Sequence, residues 1–266
     1  MKKILSATLI AGLFSGAAFA QTTVSSANIV GYVTSDRPAG FRIQGTSWKS
    51  ETLQNFFGLN YKASKIPTLA QRIHTYTPGA GYQSYFCWAD SIAALNGGTE
   101  WRLMSAPNDS LADVLLENAT AVFMQTPANG IGQTLISGEV NLELSVTNSV
   151  VPGYQLLAYP FSADVKISEL NLLQVGTPAS VFGGGSVVIP TTADVLYLYV
   201  AEVGYVGYFV YKDPATQNRS WRLFTSPTSE LAEENIPVLS QGEGFFYLSR
   251  GSENKTWVEA RPYTVQ

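Results

Sequence analysis

Charge is scarce in this chain. Asp, Glu, Lys and Arg supply 14% of its 266 residues, well under the ~25% of an ordinary soluble domain. Too few Glu and Lys are present for a coiled coil, and 45% hydrophobic residues exclude an acidic disordered tail. Basic clusters are absent too. Two of the 16 basic residues are Lys2 and Lys3, so the rest of the chain carries 14 against 20 acidic residues and a formal charge of −6. Nucleic acid and anionic lipid both require a Lys/Arg patch, and neither is expected as a partner. One cysteine, Cys87, and one histidine, His74, complete the shortages. A single cysteine forms no intramolecular disulfide, and one Cys with one His cannot build a zinc site.

Apolar runs are also few. Ile4 to Ala17 follows Lys2-Lys3 and precedes Ala18-Phe19-Ala20. A basic start, a short apolar stretch and a small-x-small junction predict a secretory signal peptide over residues 1–20, cleaved before Gln21. No other run approaches the ~20 residues that span a bilayer, so the exported chain is not expected to be membrane-spanning.

Tyr 14, Phe 13 and Gly 23 dominate what is there, a composition that favours strands and tight turns. The chain also repeats itself. Ile66 to Phe86 and Ile189 to Phe209 match without gaps at nine of 21 positions, among them Tyr76/Tyr199, Tyr82/Tyr205 and Tyr85/Tyr208. Trp101-Arg102-Leu103 and Pro107 are answered by Trp221-Arg222-Leu223 and Pro227. Upstream, Pro38-Ala39-Gly40-Phe41 answers Val151-Pro152-Gly153-Tyr154. We read two diverged copies of one unit, over 21–140 and 141–266.

Within each copy the patterns predict short strands: Phe41–Gly45 and Tyr154–Ala158, Ile73–Tyr76 and Val195–Val200, Tyr82–Trp88 and Tyr205–Tyr211, Ala121–Gln125 and Gly244–Ser249. Helical turns are expected at Glu51–Phe57 after Ser50, at Glu169–Leu172 after Ser168, and at Ser110–Leu116. The expected fold is all-β, two duplicated sandwich or barrel-like units with a few short helical turns.

The second copy opens with Pro152-Gly153-Tyr154-Gln155-Leu156-Leu157-Ala158-Tyr159-Pro160, passes a Tyr-rich hairpin and Trp221, and reaches Gly242-Glu243-Gly244-Phe245-Phe246-Tyr247. This resembles the extracellular β module patterned G-W-N-L-I-S-x-P, then W, then G-x-G-Y-W-V, found repeated in secreted and cell-surface prokaryotic proteins. Tyr154-Gln155 stands for its Trp-Asn; in the first copy Phe41-Arg42 stands there, and Asn118-Ala119-Thr120 replaces Gly-Glu-Gly. The resemblance implies no catalytic residues.

The residues lead the same way. His74 could act as a base or metal ligand, but its counterpart is Tyr197, which points to a half-buried strand position. Cys87 answers Val210, as a small buried hydrophobe would; an intermolecular disulfide is its alternative role. Asp109/Asp113/Glu117 and Glu230/Glu233/Glu234 are acidic groupings best read as solvated turns. Gly183-Gly184-Gly185 lacks the Gly-Lys-Ser/Thr of a phosphate loop. Trp101 and Trp221 are expected as core anchors. No catalytic, cofactor or metal residue is assigned. The expected function is an exported, non-enzymatic structural or assembly protein of the cell surface or matrix, self-associating or joined to other surface proteins. The alternatives are a carbohydrate-binding or adhesive module taking polysaccharide, and an enzyme of unrecognised type.

Overall fold

A computed structural model describes residues 29–37, 39–53, 61–89, 100–109, 114–128, 132–181 and 187–264. The expected signal peptide at 1–20 and Gly183–Gly185 lie outside them. In the first half the strands are β1 (Val30–Arg37), β2 (Gly40–Gly45), β3 (Glu51–Thr52), β4 (Arg72–Thr77), β5 (Gly81–Trp88), β6 (Glu100–Leu103), β7 (Leu115–Leu116), β8 (Ala121–Thr126) and β9 (Gly132–Glu139). In the second they are β10 (Ser145–Val150), β11 (Gly153–Ala158), β12 (Val165–Lys166), β13 (Ser180–Val181), β14 (Val188–Ile189), β15 (Val195–Val200), β16 (Gly204–Lys212), β17 (Arg219–Leu223), β18 (Ser226–Glu230), β19 (Val238–Leu239), β20 (Gly244–Ser249) and β21 (Lys255–Ala260). Every pairing between them is antiparallel. The protein is all-β with a few short helical turns.

Strand order repeats between the halves. The first sheet runs β2-β8-β4-β5-β6 and the second β11-β20-β15-β16-β17-β18. The ribbon β1-β9 corresponds to β10-β21, and β3-β7 to β12-β19. Register agrees as well. His74 lies opposite Phe123 as Tyr197 lies opposite Phe246, and Cys87 faces Trp101 as Val210 faces Trp221. This register makes Ala119-Thr120-Ala121 the counterpart of Gly242-Glu243-Gly244, one residue beyond the match drawn from sequence. The sequence comparison lacked a glycine to anchor it: Ala119 takes the positive φ (64°) that Gly242 takes in the other copy (76°).

The first two helical expectations meet strands instead: at the first only Leu53 is helical among the described residues, and at the second none is. Glu51–Thr52 and Leu115–Leu116 are extended and pair with each other as β3 and β7, while 54–60 and 110–113 lie outside the described residues. Tertiary pairing overrides the local capping signal there. At the third site a 3₁₀ turn forms over Ile167–Glu169 and α1 over Leu172–Val175. The Glu169 carboxylate accepts a hydrogen bond from the Lys166 N–H at 3.4 Å.

Because side chains alternate along a strand, each sheet has two different faces. On the outer face of the first sheet, Ile73, Tyr85, Cys87, Trp101, Val122 and Met124 are buried with Trp48, Leu53 and Leu116. On that of the second, Leu196, Val210, Trp221, Phe245 and Tyr247 pack with Phe161, Ile167, Leu172 and Trp257. Trp101 and Trp221 are core residues on equivalent strands. The inner faces meet each other: Ile43 and Ala121 are buried against Leu156, Ala158 and Phe246, with Tyr76, Phe123, Tyr197 and Tyr199 around them.

That meeting has pseudo-two-fold symmetry. Gln44 bridges to Glu243, and the equivalent Leu157 bridges to Thr120. The Gly45 N–H donates to Gly242 O at 2.8 Å, and the equivalent Ala158 N–H donates to Ala119 O at 2.9 Å. A contact that returns with its partners exchanged defines an isologous interface. At its centre one glycine in each self-facing pair makes room for an alanine. A Cβ on Gly45 would stand 2.4 Å from the Ala158 Cβ, and one on Gly244 would stand 2.6 Å from the Ala121 Cβ.

Candidate functional site

The inner faces leave a cleft of about 350 Å³ beside their apolar contact, lined by Tyr76, Tyr82, Tyr154, Tyr197, Tyr205 and Phe246. These residues come from β4, β5, β11, β15, β16 and β20, so both halves build it. Phe246 is its buried centre. Around it stand Tyr76 (5.8 Å between centroids, 80° between planes), Tyr82 (6.5 Å, 86°), Tyr154 (6.4 Å, 90°) and Tyr205 (5.7 Å, 70°). All four are edge-to-face arrangements, which the aromatic quadrupole favours. Tyr82, Tyr154 and Tyr205 are 54%, 45% and 48% exposed, so the cleft opens to solvent.

The symmetry mate of this cleft is arranged differently. There Phe41 replaces Tyr154 and lies flat on Phe123, with centroids 5.1 Å apart and planes 12° apart. His74 replaces Tyr197 and its Nδ1 lies 2.7 Å from Ser84 Oγ. Opposite Tyr197 in register is Gly207, where a Cβ would come within 3.0 Å of the tyrosine ring. The large Tyr197 thus pairs with a glycine and the smaller His74 with a serine. Two hairpin glycines hold the pattern in both copies, because Gly81 (φ 87°) and Gly204 (φ 93°) occupy the left-handed region at equivalent turns.

Three of the cleft phenols hold their protons more tightly than a free tyrosine does. Burial, with the Tyr82 and Tyr199 phenols nearby, pushes the Tyr205 hydroxyl up to about 12. Burial raises Tyr82, with Tyr76 adding to it, and raises Tyr197, with Tyr154 adding to it. His74 is lowered by burial and by the Arg72 charge. No carboxyl, imidazole or amine stands among the residues that line the cleft.

Of the tyrosines and tryptophan on β5 and β16, Tyr82 and Tyr205 enter the cleft, Tyr85 and Tyr211 are buried, and Trp88 and Tyr208 are half-buried. Trp88 and Tyr211 carry equivalent guanidinium groups, with Arg102 3.5 Å and Arg222 3.9 Å from the ring centroids. Those arginines also donate to Pro107 O (3.1 Å) and Pro227 O (2.9 Å), which explains the repeated Trp-Arg-Leu and its proline. Tyr76, Tyr154, Tyr197 and Phe246 were not singled out as cleft residues. The repeated Tyr76/Tyr199 match was the available signal, but nothing local says that two sheets will place them together.

The other sequence candidates do not converge. Cys87 is buried in the first core and cannot reach another chain without local opening. Glu233 is paired with Lys166 at 2.6 Å, and Asp113 lies outside the described residues. Among the described residues no group of three or more His, Cys, Asp and Glu is placed to hold a metal ion, and no helix is long and apolar enough to cross a membrane.

No protein-family model, curated relative or solved structure matches the chain.

Proposed function

We propose that this is an exported, non-enzymatic structural or assembly protein of the cell surface or extracellular matrix, and that it associates with further copies of itself through the β1-β9 ribbon. The observation that carries the reading is the state of β1. Its only strand partner among the described residues is β9, and Ile29 just before it and Val30 and Tyr32 on it are 46%, 68% and 72% exposed. A free edge with apolar side chains is a template for strand addition. The resemblance of each copy to the repeated extracellular β module supports the same reading, as does the signal-like N-terminus. A polysaccharide platform would need a flat exposed row of rings, whereas the exposed tyrosines stand edge-to-face.

Sedimentation velocity over a concentration series tests it. The full chain should form larger species as concentration rises, and Val30→Lys with Tyr32→Lys should return it to monomer by charging the edge. A wild-type chain that stays monomeric throughout, or variants that assemble as before, would rule the reading out.

A further inference from the structure

We propose that the cleft between the two sheets is an aromatic cage that binds a quaternary ammonium group. Four tyrosine rings stand at 70–90° to the buried Phe246 ring and 5.7–6.5 Å from it, forming walls around one centre instead of a flat surface. Tyr197 extends the wall beside Tyr154, with their centroids 6.3 Å apart. Ring faces are electronegative and attract a cation, and the attraction grows when the cation sheds its water.

The lining selects among cations by what it does not offer. All six lining residues are Tyr or Phe. A primary ammonium is strongly hydrated and carries three N–H donors that would need acceptors. A quaternary ammonium has no N–H to satisfy and holds its charge at every pH. A sugar ring presents many hydroxyls, and a cleft that fixes one needs several placed donors and acceptors. Here phenol oxygens are the only side-chain polar atoms. The cleft attracts through its ring faces, and the chain's formal charge of −4 favours the approach of a cation, against the Arg250 charge that acts on Tyr197.

Calorimetric titration of the full chain with tetramethylammonium and with choline tests the assignment, kept at a concentration where the chain is monomeric. The neutral isostere 3,3-dimethylbutan-1-ol, with carbon in place of the charged nitrogen, is the control. Choline should bind at least about tenfold more tightly than the isostere, a ratio within the range of cation–π attraction. Tyr205→Phe should keep binding, because the ring face remains, and Tyr205→Leu should weaken it about tenfold or more. Tyr154→Leu, at a half-exposed edge position, serves the same purpose if Tyr205→Leu does not fold. Leu144→Ala, at an exposed position outside the cleft lining, should change nothing. Equal affinity for choline and the isostere, or no binding of either onium compound, would overturn the cage. So would binding of a neutral oligosaccharide in the cleft without onium binding.

Discussion

Glu259 is a carboxyl at 3% exposure, and it accepts hydrogen bonds from Trp257 Nε1 and the Asn171 N–H, each at 2.6 Å. Burial outweighs those bonds and raises its pKa above the ordinary 4.5. Glu243 and Glu51 are raised too, each by burial first. Unfolded, these groups lose their protons near 4.5; folded, they lose them later. Between the two values the native state holds more protons, so stability falls as pH rises through that window. His74 works in the opposite sense. Its lowered pKa means that stability is lost as pH drops below the unfolded value of 6.5 and through the folded one. Replacing Glu259 by Gln keeps the shape and an accepting oxygen while removing the ionisation. In thermal melts upward from pH 4.5, the wild-type Tm should fall more steeply than that of Glu259→Gln. Parallel slopes would show that Glu259 does not carry the dependence.

The facing β2-β8 and β11-β20 pairs turn on two small residues each. Gly244→Ala would push a methyl to 2.6 Å from the Ala121 Cβ and 2.7 Å from Ile43 Cγ2. Overpacking of this kind costs about 1–3 kcal/mol. Ala121→Gly in the same chain should recover most of it, whereas Ala158→Gly should not, because Ala158 faces Gly45. Denaturant unfolding of the four variants in a double-mutant cycle measures the coupling. Additive losses would mean that the pairs do not meet. Most strands were legible in the sequence because their patterns are local: the hairpin at Gly204 follows a run ending in Val200, and Phe245/Phe246/Tyr247 alternate between faces as period two requires. The short β3 and β7 were not legible, since two-residue strands exist only by pairing across 63 positions from Thr52 to Leu115. The cleft was half legible for the same reason. Tyr82 and Tyr205 stand out in the repeat, but Tyr154 and Phe246 join them only once the two sheets face each other.

At the scale of the whole molecule, the question is whether two like sheets behave as one body. Each has its own core under its own tryptophan, with Trp101 in one and Trp221 in the other. Yet Ala119 of the first half is buried in the core of the second, and the inner faces share a further cluster. Exposing Phe246, Leu156 and Ile43 to water would cost each half the burial that the other supplies, so neither should persist alone for long. Trp221→Ala therefore should not melt one half early. Its lost burial and cavity are worth about 3–5 kcal/mol, and at about 2–4 °C per kcal/mol for a chain of this size the single transition should drop by roughly 6–20 °C. Trp101→Ala should move the same transition by a comparable amount, since it empties the equivalent place in the other core. Differential scanning calorimetry distinguishes the cases. One displaced peak, with the calorimetric and van't Hoff enthalpies in agreement, means that the pseudo-dyad interface couples the halves. Two peaks, only one of them displaced by each substitution, would mean that the interface is too weak to do so. The aromatic cleft, built from both halves, would then lose its walls at the temperature where the sheets part, before either core unfolds.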